Sequence, residues 1–296
     1  MSVKVALITG GVSGLGLSVA KALSTSENWT IHILDINEEG GAQVAKELPR
    51  TTFHRTNVTK YSELAAAFQS TFEQSSRLDF VFANAGVIER NNFYATPDAE
   101  DGRDVCPPPE PDLLSIDADL KGVVLTTYLS QHYFRHSPHK GQGCNLVMTA
   151  SCGGLYPSFY CPLYSAAKFG VVGFMRSVSQ HFRANGVRVN AICPSIIRTN
   201  LVDSVGWDSF PQNRFVEVEN VARVVLALIE GEPAGQGLKD ATGRHLPLAE
   251  LYGVAVEISD SGLYFRDQHD FCDEGMREVM AATVLENQVG AILNGD

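Results

Sequence analysis

Cysteine is scarce in this sequence, and the few cysteines follow no pattern that forms disulfides or binds zinc. Six occur in 296 residues, and no two of them make a CxxC pair. Disulfide-stapled scaffolds and zinc modules need dense or closely paired cysteines. The sequence therefore indicates neither kind of protein, and we expect a reducing compartment, in particular the cytoplasm.

Long hydrophobic runs and positive charge are also lacking. No apolar run reaches the roughly eighteen residues of a membrane-spanning helix, and the opening MSVKVALITGG has no cleavage-site pattern. Lysine and arginine number 23 against 34 aspartates and glutamates, which gives a net charge of −11. Because such a surface repels phosphate backbones and anionic lipid, we expect no nucleic-acid partner and no membrane partner.

Histidines supply no clear metal site. His132, His136 and His139 are spaced four and three apart, but no carboxylate completes a ligand set beside them. We interpret them as solvated side chains at a helix end, and we predict no metal.

What the sequence does contain is a regular alternation of short apolar runs and amphipathic stretches. VKVALIT, for example, is apolar and β-branched and ends at a glycine pair, as buried parallel strands do. The alternation predicts an α/β fold, a doubly wound parallel sheet of the Rossmann type with helices on both faces, in a single domain. Predicted strands cover residues 3–9, 30–34, 51–55, 78–83, 145–150, 187–193 and 254–258, and predicted helices cover 14–26, 38–48, 62–72, 115–134, 163–183, 218–229 and 274–292.

Two stretches interrupt this alternation. Residues 95–112 are acidic and rich in proline, and the stretch 231–250 begins glycine-rich and polar. We predict both to be insertion loops in a dinucleotide-binding domain that spans residues 1–261. Residues 262–296 are predicted to form a C-terminal tail that covers the pocket or contacts another subunit.

A glycine-rich string, TGGVSGLG at residues 9–16, lies between the first predicted strand and the first predicted helix. Glycine permits the positive φ and the close backbone approach that a tight turn requires there. The following helix presents free N–H groups and the positive end of its dipole, which favour a pyrophosphate. In this context the string predicts a dinucleotide site. Its predicted contacts are Gly10, Ser13, Gly14, Leu15 and Gly16.

Asp35 ends the second predicted strand, about twenty residues after the glycines. A carboxylate at this position accepts hydrogen bonds from an adenosine ribose and repels a 2′-phosphate. No Lys or Arg stands at 11–13 or 36–37 to bind such a phosphate. We therefore predict NAD as the cofactor, with NADP less favoured, and we expect Asp35 and Ile36 to contact it.

Tyr164 and Lys168 are four residues apart on a predicted helix and so share one face. Ser151 follows the fifth predicted strand, at the sheet edge where ligands of doubly wound folds bind. A free tyrosine has a pKa near ~10, so half-ionisation near neutrality requires ~4 kcal/mol. One cation at ~4 Å in an effective dielectric of ~20 supplies about that much. We expect Lys168, together with the positive charge of a bound oxidised nicotinamide, to make Tyr164 a general base, and we expect Ser151 to hold the substrate oxygen.

Several motifs occur in an order that resembles the short-chain dehydrogenase/reductase family. TGGVSGLG resembles the family's cofactor turn, and the NAG after the fourth strand resembles a second motif. The serine, tyrosine and lysine just described match its catalytic residues, and CPSIIRT at 193–199 resembles its motif near the nicotinamide. The resemblance runs from about residue 3 to about residue 230. GVRVNAICP and YGVAVEISDSGLYFRD also resemble the NAD-dependent hydroxyprostaglandin dehydrogenase branch.

This resemblance implies a set of cofactor and substrate contacts. Tyr164 would accept the proton in oxidation, and Lys168 would also bind the nicotinamide ribose. Ser151 and Cys161 would lie on the substrate side. Besides the glycine turn and Asp35, the implied cofactor residues are Asn57, Val58, Asn84, Ala85, Gly86, Tyr164, Lys168, Pro194, Ile197 and Thr199.

Three positions depart from the family's pattern. Asp119 aligns with an asparagine that holds a water on the proton path, so this fourth catalytic position keeps an acceptor and gains a charge. Asn57 stands where an aspartate usually contacts adenine. Ser195 replaces the glycine that follows the motif's proline.

The predicted function is that of a NAD-dependent oxidoreductase that interconverts a secondary alcohol and a ketone on a fairly apolar small molecule. The apolar preference is predicted from SCGGLYPSFYCPL at residues 151–163. Two alternatives stay open, a non-catalytic dinucleotide-binding sensor or scaffold of the same fold and an NADPH-linked ketoreductase. The long helices predicted at 115–134 and 163–183 resemble those that pair subunits in this family, which implies a homodimer or homotetramer.

Overall fold

The computed structural model describes residues 3–95, 107–199, 207–285 and 287. Most of the acidic, proline-rich insertion predicted at 95–112 lies outside these residues. The described part of the chain falls into two compact units, one up to Phe265 and one from Arg266 onward.

An eight-stranded sheet forms the centre of the first unit. Six pairs of neighbouring strands, β3–β2, β2–β1, β1–β4, β4–β5, β5–β6 and β6–β9, are all parallel, as the alternation of strands and helices predicts. Along the sheet the order is β10-β9-β6-β5-β4-β1-β2-β3, and a separate antiparallel pair consists of β7 and β8. The strands are β1 Lys4–Thr9, β2 Trp29–Asp35, β3 Thr51–Arg55, β4 Phe80–Ala83, β5 Asn145–Thr149, β6 Arg188–Pro194, β7 Leu238–Lys239, β8 His245–Leu246, β9 Ala255–Ser259 and β10 Gly262–Arg266.

Helices follow most of the strands, as predicted. The helix predicted at 115–134 is not regular throughout. It starts with one helical turn at Leu114–Ile116, continues as a π-helical segment at Asp117–Lys121 and becomes α-helical from Gly122. The helices are α1 Gly14–Ser24, α2 Glu38–Glu47, α3 Tyr61–Ser75, α4 Gly122–His136, α5 Pro162–Ala184, α6 Val218–Glu230 and α7 Glu274–Ala281. Of these, α7 belongs to the second unit, where the Asp273 side chain caps it by accepting the Met276 N–H at 2.8 Å.

Both faces of the sheet are buried, which explains why its strands read as continuous apolar runs. Along β1, Ala6 and Ile8 belong to one hydrophobic cluster, and Val5 and Leu7 belong to a second cluster. Successive side chains of a strand point to opposite faces, so each cluster lies on one side of the sheet.

The strand order reverses between β1 and β4. From β1 the chain builds outward through β2 and β3, and from β4 it builds in the other direction through β5 and β6. Such a reversal leaves a crevice at the carboxyl ends of the two central strands, where doubly wound proteins bind ligands.

Two predictions about the connecting segments were incomplete. The stretch predicted as a loop at 231–250 contains the β7–β8 pair, and the predicted tail from 262 begins with β10 at the sheet edge. Strands of two residues carry no periodicity, and β10 follows β9 after only two residues, so neither gives a separate signal in the sequence.

Candidate active site

A cavity of about 630 Å³ opens at the carboxyl edge of the sheet. The catalytic candidates Ser151, Tyr164, Lys168 and Asp119 lie on its wall, together with the substrate candidate Cys161. Cofactor candidates on the same wall are Gly10, Ser13, Gly14, Leu15, Asp35, Ile36, Asn57, Val58, Asn84, Ala85, Gly86, Pro194, Ile197 and Thr199. The fold thus brings into one cavity residues that are spread over most of the sequence.

The glycine turn folds tightly between β1 and α1. Gly10 and Gly14 have φ angles of 66° and 50°, in the left-handed region that side-chain-bearing residues avoid. Gly16 lies behind the turn, where an added Cβ atom would come within 2.1 Å of the Gly10 carbonyl oxygen. The structure therefore gives Gly16 a packing role and places it off the cavity wall, although a cofactor contact was predicted.

Helix α1 begins without a side-chain cap. Ser13 is its N-cap residue with an extended backbone, and the Ser13 side chain makes no capping hydrogen bond. The first N–H groups of a helix have no partner within the helix and carry its positive dipole end. Because Ser13, Gly14 and Leu15 line the cavity, these groups are available to an anion there.

Asp35 holds a carboxylate against the glycine turn. Its Oδ2 accepts the Val12 N–H at 3.3 Å, and its Oδ1 accepts the Asn37 N–H at 3.1 Å. In the part of the wall that the structure describes, the basic side chains are those of Arg90 and Lys168. Lys168 is paired with Asp119 rather than with Asp35, so the Asp35 carboxylate offers an acceptor to a ligand in the cavity.

The ends of β1, β4 and β5 are joined by hydrogen bonds from Asn84. Its side-chain amide donates to the Thr9 carbonyl at 3.2 Å, and its Oδ1 accepts the Thr149 hydroxyl at 3.0 Å. Thr9 Oγ1 accepts the N–H groups of Asn84 and Ala85 at 2.9 and 3.0 Å. Asn84 therefore stabilises the floor of the cavity, whatever contact it makes with a ligand.

Tyr164, Lys168 and Ser151 converge at the other end of the cavity. Lys168 Nζ lies 5.4 Å from the centre of the Tyr164 ring and donates to the Thr149 carbonyl at 3.0 Å. The side chains of Tyr164 and Ser151 line the same cavity, and Ser151 Oγ accepts the Gly153 N–H at 3.1 Å. The spacing read from the sequence thus produces the expected juxtaposition.

The pKa of Tyr164 in the cofactor-free chain is shifted upward. Burial raises the pKa of Tyr164, against the lowering effects of Lys168 and of the Ser151 side chain, and the net shift is upward. The negative charge of Asp119 adds to this rise. The expectation that Lys168 makes the phenol acidic omitted both the desolvation of the ring and the carboxylate beside the lysine.

Glu89 is a residue of the site that sequence reasoning missed. The N-cap residue of α5, Cys161, makes no side-chain cap. Instead Glu89 Oε2 accepts the N–H groups of Leu163 and Tyr164 at 2.8 and 3.2 Å. A carboxylate at a helix N-terminus stabilises both the free N–H groups and the dipole, so Glu89 fixes the turn that carries Tyr164. A separation of 74 residues leaves no local signal of this contact.

Aromatic side chains line the cavity beyond Ser151. Tyr160 and Phe210 have ring centres 6.3 Å apart, and Trp207 and Phe210 have centres 6.0 Å apart. Cys161 lies among them with its Sγ 3.1 Å from Ser158 Oγ, and burial raises the pKa of its thiol. A protonated thiol is an apolar wall group rather than a nucleophile, so this part of the cavity suits an apolar molecule.

The histidines and the helices of the described residues provide neither a metal site nor a membrane-spanning segment. His136 Nδ1 donates to the His132 backbone carbonyl at 2.8 Å, while His139 lies 3.1 Å from Asp79 in a separate contact. Among the described residues, no three His, Cys, Asp or Glu side chains gather in a way that would hold a metal ion. Within the same residues, no helix is both long and apolar enough to cross a bilayer.

The residues present fit a dinucleotide. An uncapped helix N-terminus beside two left-handed glycines suits a pyrophosphate, and the Asp35 carboxylate suits a ribose. Tyr164, Lys168 and Ser151 line the same cavity, where a nicotinamide would lie in an oxidoreductase of this fold. The fold and the site together define a nucleotide-linked α/β oxidoreductase.

Comparisons with known proteins agree with this class. The family model described as short chain dehydrogenase matches residues 4–208. The short-chain dehydrogenase/reductase prx7 of Penicillium rubens is 78% identical over 282 residues, which are 95% of this chain and 100% of that protein. Human 15-hydroxyprostaglandin dehydrogenase [NAD(+)] is 30% identical over 210 residues, covering 68% of this chain and 71% of its own. The chain belongs to the short-chain dehydrogenase/reductase family.

A solved structure shows the same fold. The crystal structure of an actinorhodin polyketide ketoreductase variant with NADPH superposes with a TM-score of 0.69 at 23% identity. It covers 87% of this chain and 97% of its own. The predicted family resemblance and the predicted Rossmann-type fold are both confirmed, and so is the weaker likeness to the hydroxyprostaglandin branch.

Proposed function

We propose that this protein is a NAD-dependent dehydrogenase that interconverts a secondary alcohol and a ketone on a fairly apolar small molecule. The observation that carries the proposal is the meeting of Tyr164, Lys168 and Ser151 with the glycine turn and Asp35 in one cavity. A bare nucleotide-binding scaffold has no need of a buried lysine beside a half-buried tyrosine and serine at its ligand site.

The chain's own residues divide the reaction between them. A bound dinucleotide supplies the nicotinamide that accepts the hydride from the alcohol carbon. Ser151 holds the substrate oxygen through its hydroxyl, and the Tyr164 oxygen takes the hydroxyl proton. In the reverse direction Tyr164 donates this proton to the ketone oxygen. Lys168 is anchored on the Thr149 carbonyl, and its ammonium lies 5.4 Å from the centre of the Tyr164 ring.

The direction of the pKa shift at Tyr164 in the cofactor-free protein supports reduction. With the pKa of Tyr164 raised by burial, the phenol keeps its proton in the cofactor-free protein, and a protonated phenol is the form that donates to a ketone. The same site therefore supports the ketoreductase alternative, and only turnover decides which direction dominates.

NAD is favoured over NADP because of Asp35. Its carboxylate is fixed by two backbone N–H groups and would repel a 2′-phosphate. The human relative carries NAD(+) in its name, whereas the ketoreductase structure holds NADPH, so similarity alone supports either nucleotide.

The substrate class is tested with purified protein, NAD or NADP, and a panel of hydroxylated lipids, steroids, polyketides and sugars. We expect formation of reduced nicotinamide, followed by absorbance, with the apolar secondary alcohols and with NAD. Turnover restricted to small polar sugars would contradict the apolar pocket. Absence of turnover with tight dinucleotide binding would favour the sensor or scaffold alternative.

We also propose that the protein forms a homodimer or homotetramer through the long helices α4 and α5. Both helices leave large apolar side chains exposed, with Tyr128 at 64% and Phe169 at 44% exposure. Sedimentation velocity of the purified chain measures the assembly directly, and a monomer at micromolar concentration would contradict this proposal.

A further inference from the structure

Asp119 forms a buried ion pair with Lys168. Asp119 Oδ2 lies 3.0 Å from Lys168 Nζ, and the two side chains are 1% and 4% exposed. Asp119 Oδ1 accepts the Val87 N–H at 2.7 Å. The carboxylate therefore has one oxygen for the backbone and one for the ammonium, an arrangement that an asparagine, with a single oxygen, does not reproduce.

The contact between Asp119 and Lys168 acts through charge. Within the described residues, Asp119 Oδ2 has no aligned hydrogen bond, although the ammonium is at ion-pair distance. Lys168 Nζ instead directs a hydrogen bond to the Thr149 carbonyl. Two opposite charges this close in a buried site largely cancel each other's field at a third group.

Tyr164 is that third group. Lys168 Nζ lies 5.4 Å from the centre of the Tyr164 ring. Lys168 lowers the pKa of the Tyr164 phenol, and Asp119 raises it. Burial alone would lower the pKa of Lys168, but the negative charge of Asp119 raises it, so the lysine stays charged. Burial also raises the pKa of Asp119, and Lys168 and the Val87 N–H oppose that rise. The Asp119 carboxylate therefore offsets part of the effect that the Lys168 ammonium has on the Tyr164 phenol.

Other charged groups lie near the site, namely Arg90 on the cavity wall, Glu257 on β9 and Arg176 on α5, the last two acting on Cys193. The charges that shift the pKa of Tyr164 are those of Lys168 and Asp119, with a smaller contribution from Cys152. Cys152 lies next to Ser151 and Cys193 lies on β6, and burial raises the pKa of both thiols, that of Cys193 to about 12. Burial likewise raises the pKa of Tyr160. Glu89 contacts the backbone N–H of Tyr164 and not its phenol.

We propose that Asp119 is a positioning residue that holds Lys168 in a charge-neutral pair and thereby keeps the Tyr164 phenol protonated in the cofactor-free protein. The proposal deepens the proposed function, on which its catalytic meaning rests. In the free protein the site then has a neutral pair beside a protonated phenol, so a cation bound next to it, such as an oxidised nicotinamide, supplies the charge that favours the phenolate.

The test is the titration of Tyr164 in the cofactor-free protein. The chain has nine tyrosines, so the phenolate absorbance of each protein is compared with that of its Tyr164→Phe counterpart, and the difference isolates one residue. We expect Tyr164 to titrate at or above the ordinary tyrosine range in the unmodified protein. In Asp119→Asn we expect its midpoint to fall by about one pH unit or more.

A matched control comes from the same helical segment. Asp117 lies two residues earlier, is 48% exposed in its side chain and pairs with Lys121 at 3.3 Å. Asp117→Asn removes one negative charge without touching the site, so the Tyr164 midpoint should stay where it is in the unmodified protein. Equal midpoints in Asp119→Asn and Asp117→Asn would overturn the proposal.

The experiment separates this proposal from the proposed function, because it needs neither cofactor nor turnover. If Asp119→Asn fails to fold, the titration of the unmodified protein still decides, since a Tyr164 midpoint near neutrality would refute the neutral pair. If the protein turns over alcohols, the acid limb of its pH–rate profile should move to lower pH in Asp119→Asn. A purely structural role would lower the rate and leave that limb in place.

Discussion

Asp35 is the residue on which the choice of nucleotide depends. Its carboxylate is fixed beside the glycine turn by the N–H groups of Val12 and Asn37. Asp35→Ala removes the charge that repels a 2′-phosphate and the acceptor for a ribose hydroxyl. We expect the ratio of kcat/KM for NAD over that for NADP to fall about tenfold or more, which corresponds to at least about 1.4 kcal/mol.

Glu38 provides the control for this change. It is an exposed carboxylate in the first turn of α2, three residues from Asp35, and it does not line the cavity. Glu38→Ala should leave the nucleotide ratio unchanged. An unchanged ratio in Asp35→Ala would show that the preference for NAD arises elsewhere.

Single residues also mark the limit of what the sequence predicts. Tyr164, Lys168 and Ser151 were identified because helical spacing and the end of a strand place them together. Glu89 was missed because its partners lie 74 residues away and nothing local marks the contact. The upward pKa shift of Tyr164 in the cofactor-free chain was not foreseen, because desolvation depends on packing that the sequence does not display.

At the scale of secondary-structure elements, the β2–β3 pair contains a second buried titratable group. His32 is 1% exposed, and its Nδ1 lies 2.9 Å from His54 Nε2, with the rings stacked. Burial and, to a smaller extent, the nearby His54 together lower the pKa of His32 from 6.5 to about 4. Its other nitrogen lies 3.4 Å from Ser75 on α3.

Because of the lowered pKa of His32, we expect the free energy of unfolding to decrease in mild acid. The native state keeps His32 neutral while the unfolded chain binds a proton, so the free energy of unfolding is unaffected above pH 6.5 and falls as the pH drops towards about 4. The loss attributable to His32 is on the order of 3 kcal/mol. Urea unfolding across this range should show a shallower pH slope in His32→Gln.

His136 serves as the comparison for that measurement. It lies at the exposed end of α4, so His136→Gln should keep the slope of the unmodified protein. Equal slopes in the two variants would mean that the His32–His54 pair does not control acid stability.

Element boundaries show which signals were strong. The prediction for α5, residues 163–183, agrees with Pro162–Ala184, because a long amphipathic pattern and a proline mark its start. The predicted helix at 115–134 was right in position, but nothing in its pattern distinguished the π-helical segment that carries Asp119. Such segments often lie at functional sites, and here one carries the carboxylate that pairs with Lys168.

At the scale of the whole molecule, the alternation of strands and helices was enough to predict the fold. It predicted the parallel order and therefore the edge at which the site lies, since strand ends meet there. It did not predict that the strand order reverses between β1 and β4. It also did not predict the aromatic wall formed by Tyr160, Trp207 and Phe210. Those contacts join distant segments and depend on the complete packing.

The most direct test of the account compares Tyr164→Phe with the unmodified protein in two measurements, dinucleotide binding and turnover of the best apolar alcohol from the panel. Removing one hydroxyl leaves the ring in place, so we expect the binding constant to stay within about threefold, while kcat/KM falls by about a thousandfold or more. Unimpaired turnover in Tyr164→Phe would contradict the assignment of Tyr164 as the group that carries the proton.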